Sequence, residues 1–295
     1  MSNYYIIVNP EAGRGKGRLL GRRLEQRLPK LRLDYKLQYT KAPWHAAELA
    51  KQAAADFETI VVAGGDGTLH EALNGLAGSA GGLSGKRMAL IPEGSGNDFA
   101  RALQLPVDME KALKILLRNH SRKIDVGKAN ERFFHNGLGV GFDAWVVDTA
   151  SKVKRLRGNA IYLYSVLRTL LSYKPQELLL HFGGKTLRDD HFMITIGNGV
   201  SLGGGFYLTP DALIDDKLLD LCIIQNMPKL AIIKNLLKVY SGKHREDPRV
   251  QMERTDKLKI ESRHGFAFHA DGELISLNRK ELTVELLPGA LEFIC

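Results

Sequence analysis

The residues with the clearest chemical capacity are Gly64, Gly65, Asp66, Gly67 and Thr68. They follow an apolar, β-branched run, Ile60 to Val62, and precede Leu69, Ala72, Leu73 and Leu76 at helical spacing, with Gly78 placed to end the helix. A strand, a glycine-rich turn and a helix in that order bring backbone N–H groups and the positive end of a helix dipole to one place, which suits a phosphate. Asp66 does not suit simple anion binding, because a carboxylate repels phosphate. It fits if a divalent cation stands between them, or if Asp66 acts on a hydroxyl proton, and phosphoryl transfer uses both. An ordinary tight turn with a solvated Asp is the plain alternative for this stretch taken alone.

Two more glycine-bearing loops each follow a strand-like run. Asn9 to Gly17 is basic and follows Tyr4 to Val8; Pro92 to Asp98 is polar and follows Met88 to Ile91. Between them, Leu33 to Tyr39 alternates as a strand ending at Thr40, and Pro43 opens a helix reaching about Phe57. Helices are expected to about Leu28 and near 97–104 and 108–118. Strands alternating with helices predict an α/β domain, whose loops converge at the carboxyl edge of a parallel sheet. Three loops carrying Arg14, Lys16, Asp66 and Asp98 therefore predict one phosphate and metal site.

After about Asp125 the pattern changes. A glycine-rich stretch (Gly137, Gly139, Gly141) leads into helical segments over 143–156 and 159–172, the first with Lys152, Lys154, Arg155 and Arg157, the second apolar at Ile161, Tyr164, Leu167 and Leu171. Short strands then dominate, at 177–182, 190–196, 218–224, 257–261, 266–270 and 281–286, which suggests a sandwich or barrel-like second domain. One helix, about 229–240, interrupts them. Its Leu230, Ile233, Leu237 and Tyr240 are expected to pack on the sandwich with the lysines solvated opposite; a membrane-surface face is the alternative.

The 295 residues are 44% apolar and 25% charged, enough for about two domains without disulfide or metal staples. Cys222 and Cys295 give neither a disulfide framework nor metal-ligand spacing, and Cys222 reads as a buried strand residue. No signal-peptide pattern and no run of transmembrane length is read in the chain, so a cytoplasmic protein with at most peripheral membrane contact is expected. The net charge of +9 favours an anionic partner: nucleotide phosphates, nucleic acid or an acidic lipid surface. No aromatic-interleaved basic platform supports nucleic acid. A P-loop, the protein-kinase motifs and a dinucleotide fingerprint are all missing.

Gly64 to Thr68, with Asn74 and Gly75 downstream, resembles the nucleotide-binding motif of the diacylglycerol kinase catalytic-domain superfamily. Val8, Asn9 and Pro10 with Gly13, Gly15 and Gly17 look like its first motif, Pro92 to Arg101 like its third, and His269 to Glu273 like its C-terminal Asp-Gly-Glu motif. The motifs stand in family order along essentially the whole chain, whereas the central turn alone would also fit NAD kinases. The resemblance implies an N-terminal α/β domain of the NAD kinase and phosphofructokinase type over 1–125, to which 286–295 return, and a β-sandwich lipid-substrate domain over 126–285, with a cleft between. It implies ATP and Mg²⁺ as cofactors and transfer of the γ-phosphoryl group to a lipid hydroxyl at the membrane surface, diacylglycerol first. Phosphatidylglycerol, a sphingoid base or an undecaprenol-type alcohol, NAD, and a non-catalytic nucleotide- or lipid-binding regulator are the alternatives. A homodimer is a possible assembly.

Residue by residue, the resemblance places Asn9, Thr40, Gly64, Gly65, Asp66, Gly67, Thr68, Leu69, Ser95 and Asn97 at nucleotide contacts, and Gly13, Arg14, Gly15 and Lys16 beside the phosphates. Glu273 or Asp271 would take the lipid hydroxyl proton, with Asp66 near the metal and phosphates. Asp98 and Asp125 match acidic positions of the metal and water network. A structural divalent site would use the Asp216 side chain and the Leu213 and Leu218 carbonyls. Two departures stand out: Lys217 replaces the usual Gly after that Asp, and Glu93 replaces a neutral residue in the third loop. Among the histidines, His70 is placed near the cleft or within the fold, while His135 and His269 read as structural.

Overall fold

The computed structural model describes residues 3–153 and 159–295. They form two compact units, Met1–Val126 with Pro288–Cys295, and Gly127–Leu287.

The first unit is α/β. Its strands β1 (Asn3–Val8), β2 (Asp34–Tyr39), β3 (Thr59–Gly64) and β4 (Arg87–Pro92) are parallel, in the order β4-β3-β1-β2. The helices are α1 (Ala12–Arg27), α2 (His45–Ala53), α3 (Asp66–Ala77), α4 (Asp98–Ala102) and α5 (Met109–Arg118). β1 and β3 are apolar almost throughout because both their faces are covered. Ile6, Val8, Val61 and Ala63 pack against Leu20, Leu24 and Leu28 of the α1 side and Leu113 and Leu116 of α5. Each valine, leucine or isoleucine among them contributes about 1.5–3 kcal/mol on burial. Asp108 opens α5 by accepting from the Lys111 backbone N–H at 3.0 Å, an ordinary N-cap.

The second unit is built mainly from antiparallel strands. After β5 (Ser121–Ala129) come β6 (Arg132–Phe134), β7 (Gly137–Gly141), α6 (Phe142–Ser151), α7 (Asn159–Ser172), β8 (Gln176–Phe182), β9 (Lys185–Gly197), β10 (Leu219–Gln225), α8 (Lys229–Val239), β11 (Val250–Thr255), β12 (Lys257–Ala270) and β13 (Glu273–Ile294). The run β11-β10-β9-β7-β12-β13 is continuous, and β8 pairs with both β9 and β12. β9 changes partners along its length. β9 pairs with β8 over Lys185–His191 and with β7 over Met193–Gly197. One apolar layer contains Phe134, Leu138, Leu180, Ile196, Phe266 and Val284. β10 serves two layers: Leu219, Leu221 and Ile223 enter this one, while Cys222 and Ile224 enter a second layer under α6, α7 and α8. Burial pushes the Cys222 thiol up to about 12, so it packs as an apolar side chain.

The expected strands 257–261 and 266–270 are one bent strand, β12. Its polar interruption holds Gly265 at φ +82, and the register with β13 shifts between Glu261 and Phe266. The break is a bulge rather than a turn. The predicted helix over 143–156 is α6, ending at Ser151; Lys154, Arg155 and Arg157 lie outside the described residues.

The apolar stripe expected to be buried on α8 is reversed. Ile232, Asn235 and Val239 face the core, whereas Leu230, Ile233, Leu237 and Tyr240 are exposed. Asn235 tolerates burial because its amide donates to the Asp247 carboxylate at 2.8 Å. On α7, Val166 and Leu170 point inward and Tyr164, Leu167 and Leu171 outward.

The last residues of the chain complete the first unit: Glu292 and Phe293 run parallel to Arg87 and Met88 of β4. Phe293 is fully buried and meets Phe99 of α4 edge-on at 5.3 Å.

His244 lies wholly buried in the second unit, with Nε2 3.2 Å from the Leu208 carbonyl. Burial holds its imidazole below the ordinary range, as it does for His191. The unfolded chain therefore takes up protons at these rings that the folded one refuses. Stability is complete above the unfolded value and falls as pH drops through about 6.5, by up to about 1.4 kcal/mol per pH unit for each ring. Denaturant titrations at pH 7.5 and 5.5 should show this fall, reduced in His244→Asn when each protein is compared with itself.

Candidate active site

The carboxyl ends of β1, β3 and β4 carry three loops that touch one another within the first unit. Asn9 fixes the first to the central one: its backbone N–H donates to the Ala63 carbonyl at 3.0 Å and its Nδ2 donates to Thr68 Oγ1 at 2.8 Å. The third joins the central one through the Glu93 N–H and the Gly64 carbonyl, 2.8 Å apart. A methyl group on Gly13 would stand 2.5 Å from the Glu93 carbonyl oxygen, and one on Gly65 2.7 Å from the Gly94 Cα. These are contacts of backbone with backbone, which only glycine allows. Glu93 thus has a place in the fold: its main chain serves as the seam between all three loops.

The first loop interrupts α1. Gly13, Arg14 and Gly15 all have left-handed φ, at +55, +65 and +87. Arg14 stands in a region that costs a side-chain-bearing residue about 1–2 kcal/mol, and Arg14 and Lys16 are both exposed there. Gly65 caps α3, so the first turn of that helix, Asp66, Gly67 and Thr68, directs its N–H groups toward the loop cluster. Leu69 is buried as a core residue of α3, so only its backbone is available to a ligand. Thr40, at the same edge, donates its N–H to the Val8 carbonyl at 2.9 Å; Ser95 is exposed, and Asn97 holds the Gly94 N–H at 2.8 Å. Backbone donors, two cations and a helix N-terminus make a cluster chemically fit for a polyphosphate.

Asp66 has a definite task in that cluster. Its two carboxylate oxygens accept from the backbone N–H groups of Asp98 and Phe99, each at 3.1 Å, clasping the third loop at the start of α4. Asp98 is buried and accepts from Arg101 at 2.6 Å. Asp125 is buried and accepts from the Gly289 N–H at 2.7 Å, which ties β5 to the returning C-terminal segment of the same unit. His70 is fully buried, edge-on to Trp44 at 5.9 Å, and is part of the packing of α3.

Gly65→Ala tests the seam. At φ −103 the torsion suits alanine, so any effect comes from the clash with Gly94. Overpacking of this kind costs about 1–3 kcal/mol. The variant is expected to fold with a lowered melting temperature and to lose most of its affinity for an ATP analogue in calorimetric titration.

In the second unit the turn between β12 and β13 holds Asp271, Gly272 and Glu273. The two carboxylates have opposite surroundings. Asp271 is buried: Oδ1 accepts from the N–H groups of Asn136 and Gly137 at 2.9 and 3.0 Å, and Oδ2 from that of His135 at 3.1 Å. Glu273 is exposed, and among the described residues its carboxylate has no protein partner. His135, Asn136 and Gly137 were not singled out as a binding loop from sequence; the glycine-rich run was visible, but the use of its amides was not. Asp143 also escaped notice. It lies 3.4 Å from His269 Nε2, and a methyl on Gly139 would collide with both.

The expected structural cation position does not fit an ion. Asp216 Oδ1 accepts from the Leu218 N–H at 3.1 Å, and Oδ2 is ion-paired with Arg254, whose Nε also lies 3.6 Å from Asp220. Lys217 adopts φ +68, the left-handed angle that a glycine would supply, and Leu213 is exposed. A guanidinium already neutralises the carboxylate that a divalent ion would need. Chelation with EDTA is therefore expected to leave the melting temperature within about 1 °C, since an ion that does not bind cannot stabilise. Among the described residues no group of three or more His, Cys, Asp or Glu is arranged to hold a metal.

The diacylglycerol kinase catalytic domain model matches residues 3–129, and the YegS C-terminal NAD kinase beta sandwich-like domain model matches residues 137–295. A diacylglycerol kinase of Staphylococcus carnosus is 31% identical over 272 residues, covering 91% of this chain and 87% of that protein. The chain belongs to the diacylglycerol kinase family. It is a lipid kinase, and kinases of this family use ATP. A diacylglycerol kinase of Staphylococcus aureus is 32% identical to it over 276 residues, covering 91% of this kinase and 85% of that one. A crystal structure of a diacylglycerol kinase from Bacillus anthracis superposes with a TM-score of 0.78 at 27% identity, covering 99% of this chain and 96% of that chain. The kinase accordingly has an N-terminal α/β catalytic domain and a C-terminal β-sandwich domain.

Proposed function

We propose that this lipid kinase transfers the γ-phosphoryl group of ATP to the hydroxyl of diacylglycerol, with Mg²⁺, at a membrane surface. The observation that carries the reading is the contrast between Asp271 and Glu273. One carboxylate is saturated by three backbone donors, and the other is exposed and uncommitted. Glu273 is the general base that takes the acceptor proton, and Asp271 is the anchor that fixes the turn presenting it. This division assigns each residue the task its surroundings permit.

The loop cluster of the first unit receives the triphosphate. Gly13 to Lys16 and the first turn of α3 bind phosphate through N–H groups and through Arg14 and Lys16. Mg²⁺ would neutralise phosphate charge there. Asp66 and Asp98 are the carboxylates of the loop cluster that would meet its water shell. Asp66 on this account positions the loops and receives Mg²⁺ water, and is not the base.

No described helix is long and apolar enough to cross a membrane. The test is a competition assay in mixed micelles with diacylglycerol, phosphatidylglycerol, a sphingoid base, an undecaprenol-type alcohol and NAD. Diacylglycerol should give the highest kcat/KM. A higher value for another lipid would transfer the reading to that acceptor, and product from NAD alone would remove it.

A further inference from the structure

Helices α7 and α8 of the second unit both pack on one apolar layer. Val166 and Leu170 enter it from α7, Ile232 and Val239 from α8. Their ends are joined: Lys229 Nζ donates to the Leu171 carbonyl at 3.0 Å. Phe206 stands between them, 4.8 Å from the Tyr162 ring and 4.5 Å from the Tyr240 ring. Each helix turns its inner face to that layer and its outer face away from it.

Those outer faces are the more apolar ones. On α8, Leu230 and Leu237 are 75% and 74% exposed, with Ile233 and Tyr240 beside them; on α7, Leu171 is 69% exposed, with Leu163, Tyr164 and Leu167. The spacing 163, 167, 171 and 230, 233, 237, 240 makes one stripe on each helix. Single exposed leucines need no explanation, but an apolar stripe on each of two helices joined end to end marks an interaction face. Its charge is of one sign. Neither helix contains an acidic residue, while Arg168, Lys229, Lys234 and Lys238 flank the stripes.

We infer that the α7–α8 face is the surface by which the kinase docks on an anionic lipid bilayer, its leucines entering the interface and its lysines meeting acidic headgroups. Helices with an apolar stripe and cationic flanks lie in such an interface. A second copy of the chain is the poorer occupant, because a twofold contact would set these cations against their own images. The inference rests on the reading of the acceptor as a membrane lipid, but binding is measured without turnover.

The experiment is sedimentation of the 295-residue chain, without ATP, with vesicles of phosphatidylcholine alone or with a quarter of phosphatidylglycerol. Wild type should bind the anionic vesicles, more weakly as salt rises. The double variant Leu230→Glu and Leu237→Glu should bind at least about tenfold more weakly. Lys234→Gln with Lys238→Gln should lose the preference for anionic vesicles. All three proteins should phosphorylate detergent-solubilised short-chain diacylglycerol alike. Variants that bind vesicles as wild type does overturn the inference. So does a wild-type dimer that Leu237→Glu splits with vesicle binding unchanged. If vesicle binding follows the expected order but no lipid is phosphorylated, the docking face stands and the acceptor reading falls.

Discussion

Glu273→Gln is expected to lower kcat by about 10²–10⁴-fold, the range over which a positioned general base contributes. Melting temperature and affinity for the ATP analogue should stay at wild-type values. The separation follows from the environment of the side chain. Glu273 is exposed and bonded to nothing among the described residues, so the amide replaces no structural contact. It also lies outside the first unit, where the three glycine-bearing loops stand. What the substitution removes is a carboxylate able to accept a proton. Turnover equal to wild type would move the base elsewhere; loss of nucleotide affinity instead of kcat would make Glu273 a binding residue.

The neighbouring Asp271→Ala should behave in the opposite way. Its side chain is fully shielded, and its removal leaves the N–H groups of His135, Asn136 and Gly137 facing a void. Hydrogen bonds to a charged acceptor are worth about 1.5–3 kcal/mol each, and buried donors without partners carry their full desolvation cost. Allowing for relaxation and water entry, a loss of about 3–5 kcal/mol is expected. For a protein of this size that lowers the melting temperature by roughly 10 °C. Asp271→Asn should recover part of the loss, because its remaining oxygen still accepts, while its amide nitrogen meets donors. Scanning calorimetry of the two variants decides between anchor and base. A stable, inactive Asp271→Ala would make Asp271 the base and contradict the anchor.

The division of the chain into an α/β domain and a β-sandwich was legible in the sequence. Parallel strands covered on both faces read as unbroken apolar runs, Ile60 to Val62 above all, and glycines mark the turns at their ends. The meeting of three loops was legible for the same reason: parallel strands put their carboxyl ends on one edge. The employment of each carboxylate was not legible. Asp66, Asp98, Asp125 and Asp271 look alike in sequence, yet Asp66, Asp125 and Asp271 spend oxygens on partners far away in the chain, such as Phe99 for Asp66 and Gly137 for Asp271, while Asp98 meets Arg101 one turn along its own helix. Spacing identifies an acid but not its acceptors' occupancy. The stripe of α8 failed for a related reason. The helix offers two apolar faces, and the one interrupted by Asn235 was the poorer candidate for burial until Asp247 supplied its partner. Arg254 at Asp216 is also invisible to local pattern, since 38 residues separate them.

Phosphoryl transfer from ATP to a lipid hydroxyl is read by following γ-labelled ATP, with Mg²⁺ and diacylglycerol in mixed micelles, into chloroform-extractable product. Wild type should move label into phosphatidic acid steadily, and Glu273→Gln should do so at least about a hundredfold more slowly. Label that stays in the aqueous phase with every lipid offered, or that appears on NAD, would contradict the account.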